Sequence, residues 1–143
     1  GYRYFDTYDV PVLYPFGHGL SYSEFFYRDL RLSLEDGRVI AEYVVENVSG
    51  RDGKEVSQVY VGEDVPLVYR PKKELKGFSK DLIKAGKCVK VRVGLDFRAF
   101  AHWNAARDIW TVTDGVYTVS VGASAEDIRL TAKLRVEDGK FVL

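Results

Sequence analysis

Ile128-Arg129-Leu130-Thr131-Ala132-Lys133-Leu134-Arg135-Val136 decides the fold class of this chain. Apolar residues alternate with polar or cationic ones along the whole run. Successive side chains of an extended strand point to opposite faces, so this segment has one apolar face and one wet face. A sheet packed on one side needs that pattern.

The same period recurs upstream. Leu30, Leu32 and Leu34 alternate with Asp29, Arg31 and Ser33 before an Glu35-Asp36-Gly37 turn, and Val39, Ala41, Tyr43 and Val45 share a face of the next run. Residues 47–53 hold turn chemistry, with Asn47, Ser49, Gly50, Asp52 and Gly53. A further run spans 55–62, then Val89, Val91, Val93 and Leu95 alternate with Cys88, Lys90 and Arg92. Tyr117, Val119 and Val121 form another strand after Asp114-Gly115. Residues 96–110 are less regular and are expected to hold a turn and a hairpin. No segment carries a convincing amphipathic helix over three turns. Short strands punctuated by turns predict an all-β antiparallel sandwich of about seven strands. Tyr117 is either a tyrosine-corner residue, its hydroxyl tying down a loop, or an ordinary core aromatic.

The chain has 143 residues, 46% apolar and 29% charged, which suits one folded domain and argues against disorder. No apolar run approaches a membrane span, and no signal peptide opens the sequence. It holds no methionine, which predicts a processed product or an excised piece. The lone Cys88 excludes an internal disulfide; a cytoplasmic location is slightly favoured, with a secreted parent left open.

Net charge is zero but unevenly spread: residues 70–92 hold nine basic groups against Glu74 and Asp81. Lysines of this kind guard exposed or edge strands against pairing with other chains. No aromatic run interleaves them as single-strand nucleic-acid binding requires, and no nucleic-acid partner is expected.

Half of the twenty aromatics lie within residues 2–27: Tyr2, Tyr4, Phe5, Tyr8, Tyr14, Phe16, Tyr22, Phe25, Phe26 and Tyr27. A sandwich core does not need them there, whereas a lead-in packed against a neighbour does. Within this arm, Tyr14-Pro15-Phe16-Gly17-His18-Gly19-Leu20-Ser21-Tyr22 suits neither helix nor alternating strand. Proline restricts one φ and glycines permit positive φ, so the segment reads as a tightly packed joint between two bodies.

That segment resembles the one opening the C-terminal fibronectin type III-like domain of glycoside hydrolase family 3 enzymes, the β-glucosidases and their relatives. Gly1-Tyr2-Arg3-Tyr4-Phe5-Asp6 resembles the end of the preceding domain. Arg70-Pro71-Lys72-Lys73-Glu74-Leu75-Lys76-Gly77-Phe78 resembles the mid-domain motif. Residues 114–122, with Asp127-Ile128-Arg129-Leu130, resemble the last two strands. The resemblance implies an immunoglobulin-like or fibronectin type III-like sandwich over residues 25–143, behind an arm over residues 1–24. It implies that the family's nucleophilic aspartate lies on a barrel domain and its acid/base residue on a middle domain, so neither falls on this chain. The parent would hydrolyse terminal β-linked glucose or xylose with retention. This part would be its scaffold, partnered by the preceding catalytic domains through the arm, with self-association open to the isolated piece.

The residues themselves carry no competing chemistry. A glycosidase sets two carboxyls across a sugar, about 5–5.5 Å apart for retention or roughly 6.5–9.5 Å for inversion. Glu35/Asp36, Glu63/Asp64, Glu126/Asp127 and Glu137/Asp138 are adjacent pairs at strand ends or turns, and adjacent residues diverge on a strand. His18, His102 and Cys88 lack metal-ligand spacing. Gly19-Leu20-Ser21-Tyr22-Ser23 stops short of a nucleophile elbow. No catalytic, cofactor-binding or metal-ligating residue is expected, and no cofactor. His18 either bonds a sugar at an active-site rim or locks its turn, the second being favoured. Trp103, Trp110 and Tyr69 decide a rival identity as a carbohydrate-binding module; burial is favoured for both tryptophans. An independent protein-interaction sandwich is the other rival. Asn47-Val48-Ser49 matches a glycosylation acceptor pattern.

Overall fold

Burial along residues 127–137 follows the alternation residue by residue: Leu134 and Val136 are buried while Lys133 and Arg135 face solvent. The computed structural model describes residues 24–66 and 72–143. Its strands are β1 (Phe25–Glu35), β2 (Arg38–Asn47), β3 (Gly53–Glu63), β4 (Glu74–Ile83), β5 (Cys88–Leu95), β6 (His102–Asn104), β7 (Ile109–Thr111), β8 (Gly115–Ser124), β9 (Asp127–Glu137) and β10 (Lys140–Val142). A short 3-10 helix, Phe97–Phe100, precedes β6. The arm through Ser23 and residues 67–71, including His18, Ser21, Tyr69 and Arg70, lie outside the described residues.

The strands form a three-stranded sheet ordered β1-β2-β5 and a five-stranded sheet ordered β10-β9-β8-β3-β4, with β6-β7 a separate hairpin. Every pairing is antiparallel. The two larger sheets make a sandwich, as expected, but the described residues hold ten strands rather than about seven. The surplus comes from β6, β7 and β10, three residues each and too short to show a period. The hairpin and turn expected over 96–110 are present as β6-β7 and the 3-10 helix.

The core lies between the inner faces. Val39, Ala41, Tyr43 and Val45 of β2 pack with Val59 and Val61 of β3 and Tyr117, Val119 and Val121 of β8, all essentially solvent-free. Each such aliphatic side chain contributes roughly 1.5–3 kcal/mol by leaving water. In β1 the apolar phase changes from Phe25 and Tyr27 to Leu30 and Leu32 because the register shifts between Arg28 and Arg31. Asp29, at φ 61°, occupies this β-bulge, and the extra residue returns the leucines to the core face. Asp36-Gly37 and Asp138-Gly139 close two-residue hairpins with positive φ at both positions, which is why an Asp-Gly pair stands at each.

The basic stretch falls on the sandwich margins: β4 ends one sheet and β5 the other. Lys80 and Lys90 are exposed there, where strand edges would otherwise invite pairing. A Cβ on Gly77 would lie 2.6 Å from Val93 Cγ1, so this glycine lets β4 approach β5 closely.

Tyr117 combines both roles open to it. Its ring is buried edge-on to Phe100, with centroids 5.5 Å apart, and its hydroxyl donates to the Thr113 carbonyl at 2.6 Å. That bond closes the corner entering β8. Asp96 caps the 3-10 helix by accepting from Ala99 N at 3.1 Å, which sets Phe100 into the core.

Candidate functional site

Each adjacent acidic pair has one carboxylate drawn into an ion pair. Glu63 is turned inward and 7% exposed, whereas Asp64 accepts from Thr118 Oγ1 at 2.7 Å and pairs with Lys133. Burial disfavours the charge on Asp64, but the Lys133 and Thr118 hydrogen bonds outweigh it and lower its pKa. Glu63 and Asp64 both line one surface pocket, with Gly62, Lys72, Lys73, Thr118 and Ser120. Glu35 pairs with Arg92, Asp127 with Arg129 and Glu137 with Arg135, each near a turn.

Cys88 is exposed at the start of β5 and His102 lies beyond its end. Among the described residues no three His, Cys, Asp or Glu side chains gather to hold a metal ion.

Asn47 is fully buried, and its side chain is spent on structure. Its Nδ2 donates to the carbonyls of Arg51 at 2.7 Å and Ile83 at 2.9 Å, while Oδ1 accepts from Ser49 N at 2.9 Å and Oγ at 2.7 Å. Glycosylation requires that same nitrogen, so in the folded domain Asn47-Val48-Ser49 is a corner tie rather than an acceptor. The Asn-x-Ser spacing also suits an Asx turn, a signal present in the sequence.

A polar cluster that sequence patterning missed joins the two sheets where β1 meets β9. Tyr27 OH donates to Glu55 Oε2 at 2.7 Å, and the Arg129 guanidinium lies 5.0 Å from the Tyr27 ring centre. Arg129 donates to both Asp127 oxygens, at 2.8 and 2.9 Å, and to the Phe25 carbonyl at 2.7 Å. Burial raises the pKa of Glu55 and, more strongly, that of Tyr27; the Arg129 hydrogen bonds lower that of Asp127. This cluster fastens the sheets together.

The tryptophans overturn the expected burial: Trp103 is 47% and Trp110 45% exposed. They stand directly opposite on β6 and β7, which pair with neither sheet, so no facing sheet covers them. Their rings meet at 73° with centroids 5.6 Å apart, and Arg98 stacks on Trp110 with Cζ 3.9 Å from the ring centre. Rings so inclined form a wedge rather than a flat shelf for a sugar.

Comparison with known proteins agrees with this architecture. The fibronectin type III-like domain family matches residues 55–125. The thermostable β-glucosidase B of Acetivibrio thermocellus is 42% identical over 140 residues, covering 95% of this chain and 18% of that protein. An exo-α-(1→6)-L-arabinopyranosidase of Bifidobacterium longum is 42% identical over 142 residues, covering 98% of this chain and 19% of its own length. The crystal structure of a Bifidobacterium adolescentis family 3 β-glucosidase superposes with a TM-score of 0.78 at 44% identity, covering 98% of this chain and 21% of that one. The chain thus spans about a fifth of the length of these relatives. With its antiparallel sandwich and its corner tyrosine, this chain belongs to the C-terminal fibronectin type III-like domains of glycoside hydrolase family 3 enzymes.

Proposed function

We propose that the domain acts as the scaffold of a longer glycosidase that hydrolyses terminal β-linked glucose or xylose with retention. Residues 1–24 form the joint to the preceding catalytic domains and residues 25–143 the sandwich that holds those domains in register. The observation carrying this reading is the nearly end-to-end match of the chain to only about a fifth of each relative. The catalytic carboxylates then belong to the other four fifths, a reading supported by the ion pairs that engage Glu35, Asp64, Asp127 and Glu137 here.

The test compares the 143-residue chain with the longer product of its gene on aryl β-glucoside and aryl β-xyloside. An aryl α-L-arabinopyranoside joins the panel because one relative is named for that sugar. Turnover is expected from the longer protein alone. Activity of the short chain that survives repurification and disappears on substituting one of its acidic residues would overturn the proposal.

A further inference from the structure

The two ends of the sandwich differ. At one, the chain enters β1 beside the β2–β3 connection, where Val48 N donates to the Glu24 carbonyl at 3.0 Å. At the other, β5 gives way to the 3-10 helix and the β6-β7 hairpin. Strands of this length set the ends about 35 Å apart at a rise of roughly 3.3 Å per residue.

The far end carries Trp103 and Trp110 exposed together on one face of the hairpin, with exposed Ile109 on its other face and Phe97 edge-on to Phe141. Apolar surface gathered this way marks an interaction site, and tryptophan and arginine are the residues that dominate such sites. Arg98 stacks on Trp110 and has no carboxylate partner among the described residues. Its planar fork is therefore held in place with donors available to an incoming carboxylate.

We propose that this end is a second docking surface, on which a preceding domain of the same longer polypeptide seats an apolar ridge with a carboxylate opposite Arg98. The inference rests on the scaffold reading above, because the relatives place about four fifths of their length outside this domain. A sugar is the poorer occupant, since the rings meet at 73° and Arg98 takes one face of Trp110. Held by a covalent joint at one end and a docked wedge at the other, the sandwich cannot swing about its linker.

Amide hydrogen exchange over residues 97–111 tests this without any substitution, in the longer protein and in the 143-residue chain. Exchange should be slower in the longer protein by about tenfold or more; equal rates would overturn the proposal. The double variant W103A/W110A should lower the thermal midpoint of the longer protein several-fold more than that of the short chain. Equal losses would place the hairpin in the domain's own stability and also overturn it. Saturable quenching of the short chain by cellobiose, or a dimer abolished by the double variant, would reassign the surface to sugar or to a second copy. A longer protein that keeps its activity and stability after deletion of residues 25–143 would instead sink the scaffold reading, independently of the exchange result.

Discussion

β9 and the β6-β7 hairpin place apolar side chains on extended backbone with opposite outcomes. Leu134 is 1% exposed, whereas Trp103, a larger and more strongly burying residue type, is nearly half exposed. β9 lies within the five-stranded sheet, paired with β8 and β10, and its inner face meets the other sheet. Trp103 has Trp110 opposite and no sheet above it. Side-chain size sets how much surface a residue can bury; the layer above it sets how much it does bury.

The sharpest way to break that comparison is truncation. Leu134→Ala should cost about 2–5 kcal/mol, from lost transfer energy and the cavity left behind. Lys133→Ala, one residue away, should cost less than about 1 kcal/mol, because its pair with Asp64 is solvent-exposed. Chemical denaturation measures both, and similar losses would mean that β9 does not pack in this register.

Next in size is the corner tie. Asn47→Ala leaves the Arg51 and Ile83 carbonyls without their donor and should destabilise by about 1–3 kcal/mol. Unchanged stability in a urea melt would show that water replaces the side chain there and that the corner is not part of the core.

Trp103→Ala should cost about 1 kcal/mol or less, the scale of an aromatic pair without deep burial. The isolated domain is the right setting for this melt. A loss matching that of Leu134→Ala would erase the contrast between sheet and hairpin.

The smallest expected effects come from titration of the cluster between the sheets. Burial holds folded Glu55 above its ordinary value of 4.5, so the folded chain keeps a proton that the unfolded chain releases. Stability from this group therefore falls as pH rises through that window. Asp127 has the opposite sign: Arg129 holds it below 3.8, and its contribution is lost as pH falls toward the folded value. Thermal midpoints of wild type, Glu55→Gln and Asp127→Asn from about pH 3 to 7 separate the two. Glu55→Gln should remove the fall and Asp127→Asn the acid-side loss; the reverse assignment would contradict the burial of Glu55.

The sandwich was legible because a strand with one covered face must alternate, and the runs over 39–45, 89–95 and 117–136 do so. The bulge at Asp29 was half legible: the leucine phase was visible from residue 30, but its offset from Tyr27 makes sense only beside β2. The comparison motifs over 114–122 and 127–130 fall on β8 and β9, and the short β10 that follows them carried no signal of its own. Asn47 was marked by its spacing, yet one pattern serves both an Asx turn and a glycosylation acceptor. Only the carbonyls of Arg51 and Ile83 distinguish them.

Local alternation and turn chemistry therefore determined by themselves that this chain is an antiparallel β protein, where its long strands run and which faces turn inward, because those properties depend on neighbours in sequence. The tertiary structure decided what covers each face: that Tyr27, Glu55 and Arg129 meet across the sheets, that Gly77 must admit Val93, and that Trp103 and Trp110 are left with only each other and Arg98. Burial is a property of the layer overhead, and that layer comes from residues tens of positions away along the chain.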